Sequence, residues 1–316
     1  MEEQYRWTRA STAPPQEPRC LACAPSGRLF AGSRRGLFYS EDNASTWRPA
    51  ALDGVVNTVR LFGTEIWAGT MDGLFRSADG IGPWRPVPIP LPEHYSQVGV
   101  SALARSPGGA IWAGICDGED GTYDDPSSYE FHAVRSTDDG ASWQSRTMVG
   151  HDVVDFAFLD DLTFLVSQEG VTTLDPAGGP HRSPSVVGLS LLVHGDTIFA
   201  GGGDLHYSVD RGQTWNQWRS GYKIVRSSST FWSQADHFHD LVLDGDQVIA
   251  GTGDGVFVFR LEDKPRRLHP LHEGLEERSP HDHRMPRALC IALGPDRTIW
   301  THFEAVGLMR AAPRAV

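Results

Sequence analysis

The sequence predicts an all-β fold, a single seven-bladed β-propeller, and two repeated phrases together with their spacing predict it. The first phrase has eight residues and four copies: Ser40-Glu-Asp-Asn-Ala-Ser-Thr-Trp47, Ser77-Ala-Asp-Gly-Ile-Gly-Pro-Trp84, Ser136-Thr-Asp-Asp-Gly-Ala-Ser-Trp143 and Ser208-Val-Asp-Arg-Gly-Gln-Thr-Trp215. The second is an apolar strand, a Pro/Gly/Asp turn, then an aromatic or aliphatic pair closing in Ala-Gly. Its copies close at Ala31-Gly32, Ala68-Gly69, Ala113-Gly114, Val166-Ser167, Ala200-Gly201, Ala250-Gly251 and Thr301-His302. Read as one second strand per blade, they give seven blades. The spacing agrees: Ser40 and Ser77 lie 37 residues apart, whereas Ser136 and Ser208 lie 72 apart, two blades with one copy of the first phrase lost between them.

The first phrase is a structural staple by its own chemistry. Short Ser and Asp side chains bond the backbone amides that follow them, Gly tolerates positive φ, and Trp buries a large apolar area. The pattern Ser-x-Asp-x-Gly-x-x-Trp resembles the Asp-box, or BNR, repeat of sialidases, sortilin-type receptors, xyloglucanases and photosystem assembly factors. That resemblance implies that each copy sits at the turn between the third and fourth strands of a blade, away from the active face, with no catalytic role.

In chain order, blades one to three each carry the first phrase. Blade four has lost it in Gly170-Val-Thr-Thr-Leu-Asp-Pro-Ala, blade five carries it at Ser208, and blade six ends in Val256-Phe-Val-Phe-Arg260 without it. Blade seven supplies three strands, through Leu289-Cys-Ile-Ala-Leu293, Thr298-Ile-Trp300 and Gly307-Leu-Met-Arg310. Its missing outer strand is Gln4-Tyr-Arg-Trp-Thr8, whose Trp7 matches the tryptophans of the first phrase. Such a latch closes the ring and removes an exposed sheet edge. Three segments exceed the blade length, at about 115–132, 220–236 and 264–286. Second-to-third-strand loops and blade connections share one rim of a propeller, so all three are expected as lids over one mouth of the channel.

Composition bounds the function. The chain of 316 residues has 34 Gly, 21 Pro and ten Trp, which fits one domain rich in strands and tight turns. A net charge of −12 opposes nonspecific binding to nucleic acid or an anionic membrane. The N-terminal Met-Glu-Glu-Gln-Tyr-Arg-Trp lacks the basic and apolar regions of a signal peptide, and no run is long enough to span a bilayer, so a cytoplasmic protein is expected. Cys20-Leu-Ala-Cys23 has redox or metal spacing, but residues three apart on a strand point to opposite faces, which leaves buried apolar thiols.

Histidines and carboxylates gather where the innermost strands begin: Gly150-His-Asp-Val-Val154, Asp236-His-Phe-His-Asp240 and Pro280-His-Asp-His-Arg284. A His-x-His pair on an extended segment points both imidazoles to one side, as a chelate needs. His302 takes the slot that Gly fills in five of the seven second phrases. With blades six and seven adjacent in the ring, His239, His283 and His302 are expected to ligate a divalent transition metal, with His237 in reserve. Glu304, Asp240 or His151 would serve as general base or hold the ligands in place. Tyr222, Lys223, Arg226, Trp232, Arg284 and Arg287 are candidates for lining a pocket for an anionic or aromatic ligand. The acidic run Asp117–Asp125 has oxygen ligands suited to calcium but not the EF-hand spacing, and reads better as a solvated lid.

Two functions follow. One is a small-molecule enzyme with metal-assisted lyase or hydrolase chemistry, on a plan similar to that of seven-bladed lyases that hold a divalent ion with imidazoles. The other is a non-catalytic module that grips a partner protein with the lidded face. Sialidase activity is not implied: those enzymes carry an Arg-Ile-Pro segment and six blades, and this chain has neither. Xyloglucanase-like enzymes need two propellers, and photosystem assembly factors of similar size are exported.

Overall fold

The computed structural model describes residues 5–90, 98–117, 131–149, 152–167, 169–176, 179–183, 186, 188–218, 238–260, 267–276 and 285–313. Among them are 28 strands in seven four-stranded antiparallel sheets. Strand β1 (Tyr5–Arg9) stands apart in sequence. Blade one is β2 (Cys20–Cys23), β3 (Leu29–Ser33), β4 (Gly36–Ser40) and β5 (Arg48–Pro49). Blade two is β6 (Val56–Phe62), β7 (Glu65–Thr70), β8 (Gly73–Ser77) and β9 (Arg85–Val87). Blade three is β10 (Val98–Arg105), β11 (Ile111–Asp117), β12 (Phe131–Ser136) and β13 (Gln144–Val149). Blade four is β14 (Asp155–Leu159), β15 (Leu162–Ser167), β16 (Gly170–Asp175) and β17 (Gly179–Ser183). Blade five is β18 (Gly188–His194), β19 (Thr197–Gly202), β20 (Leu205–Ser208) and β21 (Asn216–Gln217). Blade six is β22 (Phe238–Asp244), β23 (Gln247–Thr252), β24 (Gly255–Arg260) and β25 (His269–Pro270). Blade seven is β26 (Ala288–Leu293), β27 (Ile299–Phe303) and β28 (Gly307–Pro313), completed by β1. No described helix is long and apolar enough to cross a membrane.

The second strands are buried along all or all but the first residue of their described length, as in Leu29–Ser33 and Glu65–Thr70, because a neighbouring blade covers each face. The Ala-Gly ending follows from convergence on the axis. A Cβ on Gly32 would lie 2.5 Å from Cys20 Sγ and 2.7 Å from Val56 Cγ1 of the next blade, closer than carbon and sulfur can pack. Cross-strand cation–π pairs recur outside this slot, with Arg76 over Trp67, Arg135 over Trp112 and Arg310 over Trp300.

The four Ser-x-Asp turns all join third to fourth strands. In each, the buried Ser hydroxyl donates to the Asp two residues on and accepts an amide. Ser136 Oγ donates to Asp138 Oδ1 at 2.8 Å and accepts Gly140 N at 2.8 Å, while Ser142 N reaches the same carboxylate oxygen at 2.8 Å. The turns at Ser40, Ser77 and Ser208 repeat the scheme. The hydrogen bonds to the ionised form, chiefly from Thr46 and Ser142, hold Asp42 and Asp138 at a pKa of about 2. The tryptophans of the phrase lean on the preceding blade: Trp84 Nε1 donates to Ala50 O at 2.6 Å and Trp47 Nε1 to Thr12 O at 3.3 Å. The staple therefore ties blade to blade as well as strand to strand.

Strand β1 closes the ring antiparallel to β28, from Tyr5 opposite Pro313 to Arg9 opposite Met309. Trp7 is 2% exposed, meets Phe303 edge-on at 5.1 Å, and donates its indole N–H to Leu271 O. Tyr5 reaches Asp244 of blade six, which is also paired with Arg297 at 2.8 Å.

Two expectations about boundaries need correction. In blade four, Val166 stands opposite Asp155 as Gly32 stands opposite Cys20, so Leu165-Val166 is the counterpart of Ala31-Gly32, one residue earlier than Val166-Ser167. Ser167 is instead equivalent to Ser33, since each pairs with the Gly that opens the third strand. Strand β25 (His269–Pro270), the fourth strand of blade six, lies within the expected lid 264–286, of which 264–266 and 277–284 lie outside the described residues. The segment 220–236 lies outside the described residues, as does 118–130, the larger part of the expected lid 115–132.

Candidate functional site

The innermost strands position the site. Five of them carry a bulge near their start, with register shifts between Val56 and Thr58, Val100 and Ala102, Gly188 and Ser190, Phe238 and Asp240, and Ala288 and Cys290. A bulge adds an unpaired residue and re-aims its neighbours. The residue after each bulge faces the Gly slot of the second strand, and Cys20 and Asp155 occupy the same position in blades one and four. Asp155 and Asp240 are thus equivalent, one on blade four and one on blade six.

Both carboxylates brace the ring. Asp155 Oδ2 accepts Leu191 N of blade five at 2.9 Å, and Asp240 Oδ2 accepts Ile291 N of blade seven at 2.8 Å. Ser101 Oγ does the same between blades three and four, donating to Val153 O at 2.8 Å. Inside this brace is a cavity of about 840 Å³ lined by the first strands of all seven blades, with Arg34 and Met71 from the turns after second strands marking its mouth.

Arg60 is the charge that sets this cavity apart. Its register position opposite Trp67 belongs in the other blades to Ala22, Ala104, Ala157, Leu192, Val242 and Ala292. Its guanidinium lies 3.8 Å from Asp155, with 41% of the side chain exposed to the channel and 20% of that of Asp155. Burial raises the Asp155 carboxyl, and Arg60 opposes the rise. Burial also pushes Asp240 up to about 6; the Asp155 charge adds to the rise, while the Ile291 amide and Arg60 offset part of it. Asp240 therefore exchanges its proton near pH 6, within the longer-range field of Arg60.

Of the sequence-predicted residues, Asp240 and His239 line this cavity. His302 does not accompany them. It is 5% exposed and paired with Cys290, in the slot whose Gly counterparts open onto the following blade: Gly251 onto Ile291 and Ala288, Gly114 onto Val153. For blade seven the following blade is blade one, so His302 lies in the seam away from blade six, its Nδ1 without a hydrogen bond and its pKa lowered by burial against the opposing charge of Glu17. His239 lines the axial cavity, and His302 is not part of that lining. Among the described residues no group of three His, Cys, Asp or Glu side chains is arranged to hold a metal. Both carboxylate oxygens of Glu304 lie 3.2 Å from Arg287 Nη1, and neither Glu304 nor Arg287, which is 14% exposed, is part of the cavity lining.

His151, Tyr222, Lys223, Arg226, Trp232, His237, His283 and Arg284 lie outside the described residues, as does the acidic run beyond Asp117. Cys20 and Cys23 belong to different packed clusters, shared with blade two and blade seven respectively. Burial raises the Cys20 thiol to about 11, which keeps it protonated. Sequence reasoning missed Arg60, Asp155 and the mouth residues Arg19 and Arg34. Aligning the first strands would have exposed Arg60, the single charge in a column of Ala, Leu and Val.

No family model and no curated protein matches the sequence. Among solved structures, an ancestral GH74 enzyme superposes with a TM-score of 0.65 at 16% identity, over 95% of this chain and 45% of that one. The extracellular domain of a putative hybrid two-component system from B. thetaiotaomicron gives 0.65 at 14%, over 100% and 40%. This chain thus spans less than half of either protein. YCF48 from Cyanidioschyzon merolae gives 0.61 at 15% over 98% of both chains, and YCF48 bound to D1 peptide gives 0.62 at 16%, over 99% and 96%. These likenesses show the seven-bladed fold, and a fold by itself does not fix a function.

Proposed function

We propose that this protein is an enzyme that binds a small polar molecule in the axial cavity, with Asp240 transferring a proton in hydrolase or lyase chemistry. The observation that carries this reading is a carboxyl group with a pKa of about 6 in a cavity of about 840 Å³, within the field of Arg60 and Asp155. The volume is that of a small-molecule pocket, and a proton exchanger is most effective when its pKa lies near the working pH. Arg60 holds an anionic group or developing negative charge, and Asp155 keeps the guanidinium oriented. The Ser-x-Asp turns support reading the scaffold as an Asp-box propeller. The GH74 neighbour supports an enzyme on this fold without indicating its substrate. Any resident metal would depend on His237 and His283 together with His239.

A screen of lactones, esters and glycosides tests the proposal. Turnover that falls about 10²–10⁴-fold in Asp240→Asn, with a limb near pH 6 in kcat/KM, is the expected result. Turnover unchanged in that variant, or a profile flat through pH 6, overturns it.

The second reading is a protein-binding module, favoured by the near-complete mutual coverage with YCF48, one structure of which is bound to D1 peptide. A stoichiometric complex with a partner protein, unaffected by Asp240→Asn, would favour that reading.

A further inference from the structure

The lining of the axial cavity carries three arginines, Arg19, Arg34 and Arg60, and three carboxylates, Asp152, Asp155 and Asp240. The charges cancel in sum but not in place. Arg19 leads into β2 and Arg34 sits in the turn after β3, both on blade one; the carboxylates come from the start of blade four and from blade six. Arg60 is the one cation of the lining at ion-pair distance from a described carboxylate, Asp155, while Asp240 has no described cation within that distance.

Several arginines elsewhere are matched to acids, as Arg28 is to Glu41, Arg105 to Asp139 and Arg287 to Glu304. Arg19 and Arg34, at one mouth of the cavity, have no acid partner among the described residues and are exposed to what enters it. A ligand bearing only a negative group would pair with blade one and leave Asp240 unmatched. A purely cationic ligand would do the reverse. Burying either without its counter-charge is costly.

We infer that the ligand of this cavity is a small zwitterion, a molecule with a carboxylate at one end and an ammonium group at the other, such as a short peptide with free termini. The inference rests on the axial cavity being the ligand site. The carboxylate lies against Arg19 and Arg34, where guanidinium forks give paired charge-assisted bonds. The ammonium lies toward Asp240, which its arrival drives to the ionised form.

The test uses the full chain and three mass-coded libraries of tripeptides: unblocked, N-acetylated, and C-terminally amidated. Bound members are recovered by ultrafiltration. A parallel panel holds neutral sugars and monocarboxylates. Retention of unblocked tripeptides is expected, falling about tenfold or more when either end is capped, and falling likewise with Arg34→Ala, a substitution in an exposed turn. Equal retention of either capped library overturns the zwitterion. Retention of the sugar or monocarboxylate panel alone, abolished by Arg60→Met, overturns the zwitterion and leaves the cavity reading standing. Retention of neither set overturns both.

Discussion

The ring is closed by five residues at the extreme N-terminus, and replacing Trp7 by Ala measures how much that closure contributes. The indole is 2% exposed, packs edge-on against Phe303 and donates to Leu271 O, while its backbone N–H bonds Glu273 O at 2.8 Å. Truncating a buried Trp costs about 3–5 kcal/mol through lost transfer energy and the cavity left behind. Leaving the Leu271 carbonyl without its donor adds about 1 kcal/mol. The sum of about 5 kcal/mol is a third or more of the total stability of an ordinary domain. At about 2 °C per kcal/mol for a chain of this size, it lowers Tm by about 10 °C. Thermal unfolding followed by circular dichroism gives the number. The control is Thr8→Ala on the same strand, whose side chain is exposed and whose bond to Arg310 O is 3.4 Å long; a change within about 0.5 kcal/mol is expected there. A Trp7→Ala protein that melts within 2 °C of the parent would refute the reasoning, because β1 would then not be holding blade seven.

Two further predictions concern the site and the staples. Asp240 ionises near pH 6 when folded and near 4 when unfolded, so the native state loses stability as pH rises from about 4 to 6. Asp240→Asn removes that loss: its Tm should exceed the parent's at pH 8 and match it at pH 4, and equal Tm values at both would count against the raised pKa. Gly140 has φ +85°, and a Cβ there would lie 2.7 Å from Val87 Cγ1, whereas Gly27 has φ +84° with nothing within 4 Å. Urea titration should show Gly140→Ala costing about 2–4 kcal/mol and Gly27→Ala about 1; equal costs would mean that the staple does not press on blade two.

The fold was legible in the sequence because a propeller writes the same steric problem seven times. Gly ends the second strand at the point of blade convergence in five of the seven blades, and the Ser-x-Asp turn needs its own oxygens, so both recur as visible phrases. The latch followed from blade seven being one strand short. The candidate site was only half legible. Asp240 was picked out among neighbouring histidines, but Arg60 and Asp155 sit in strands that look like ordinary apolar repeats, and the bulge in the strand of Arg60 leaves no residue signature. His302 stood out as the departure from a Gly slot, but that slot fixes a place in the ring without stating which seam it enters. The strand inside 264–286 was not legible for a similar reason: the two-residue strand at His269–Pro270 is too short to show as a repeat.

The central claim is that ring closure gathers Arg60, Asp155 and Asp240 into one electrostatically coupled cavity. The direct measurement is an NMR titration of the Asp240 carboxyl carbon in the parent and in Arg60→Met. The account predicts a midpoint of about 6 in the parent and a higher one in the variant, since the cation that favours the ionised form is gone. A midpoint near 4 that ignores Arg60→Met would contradict it.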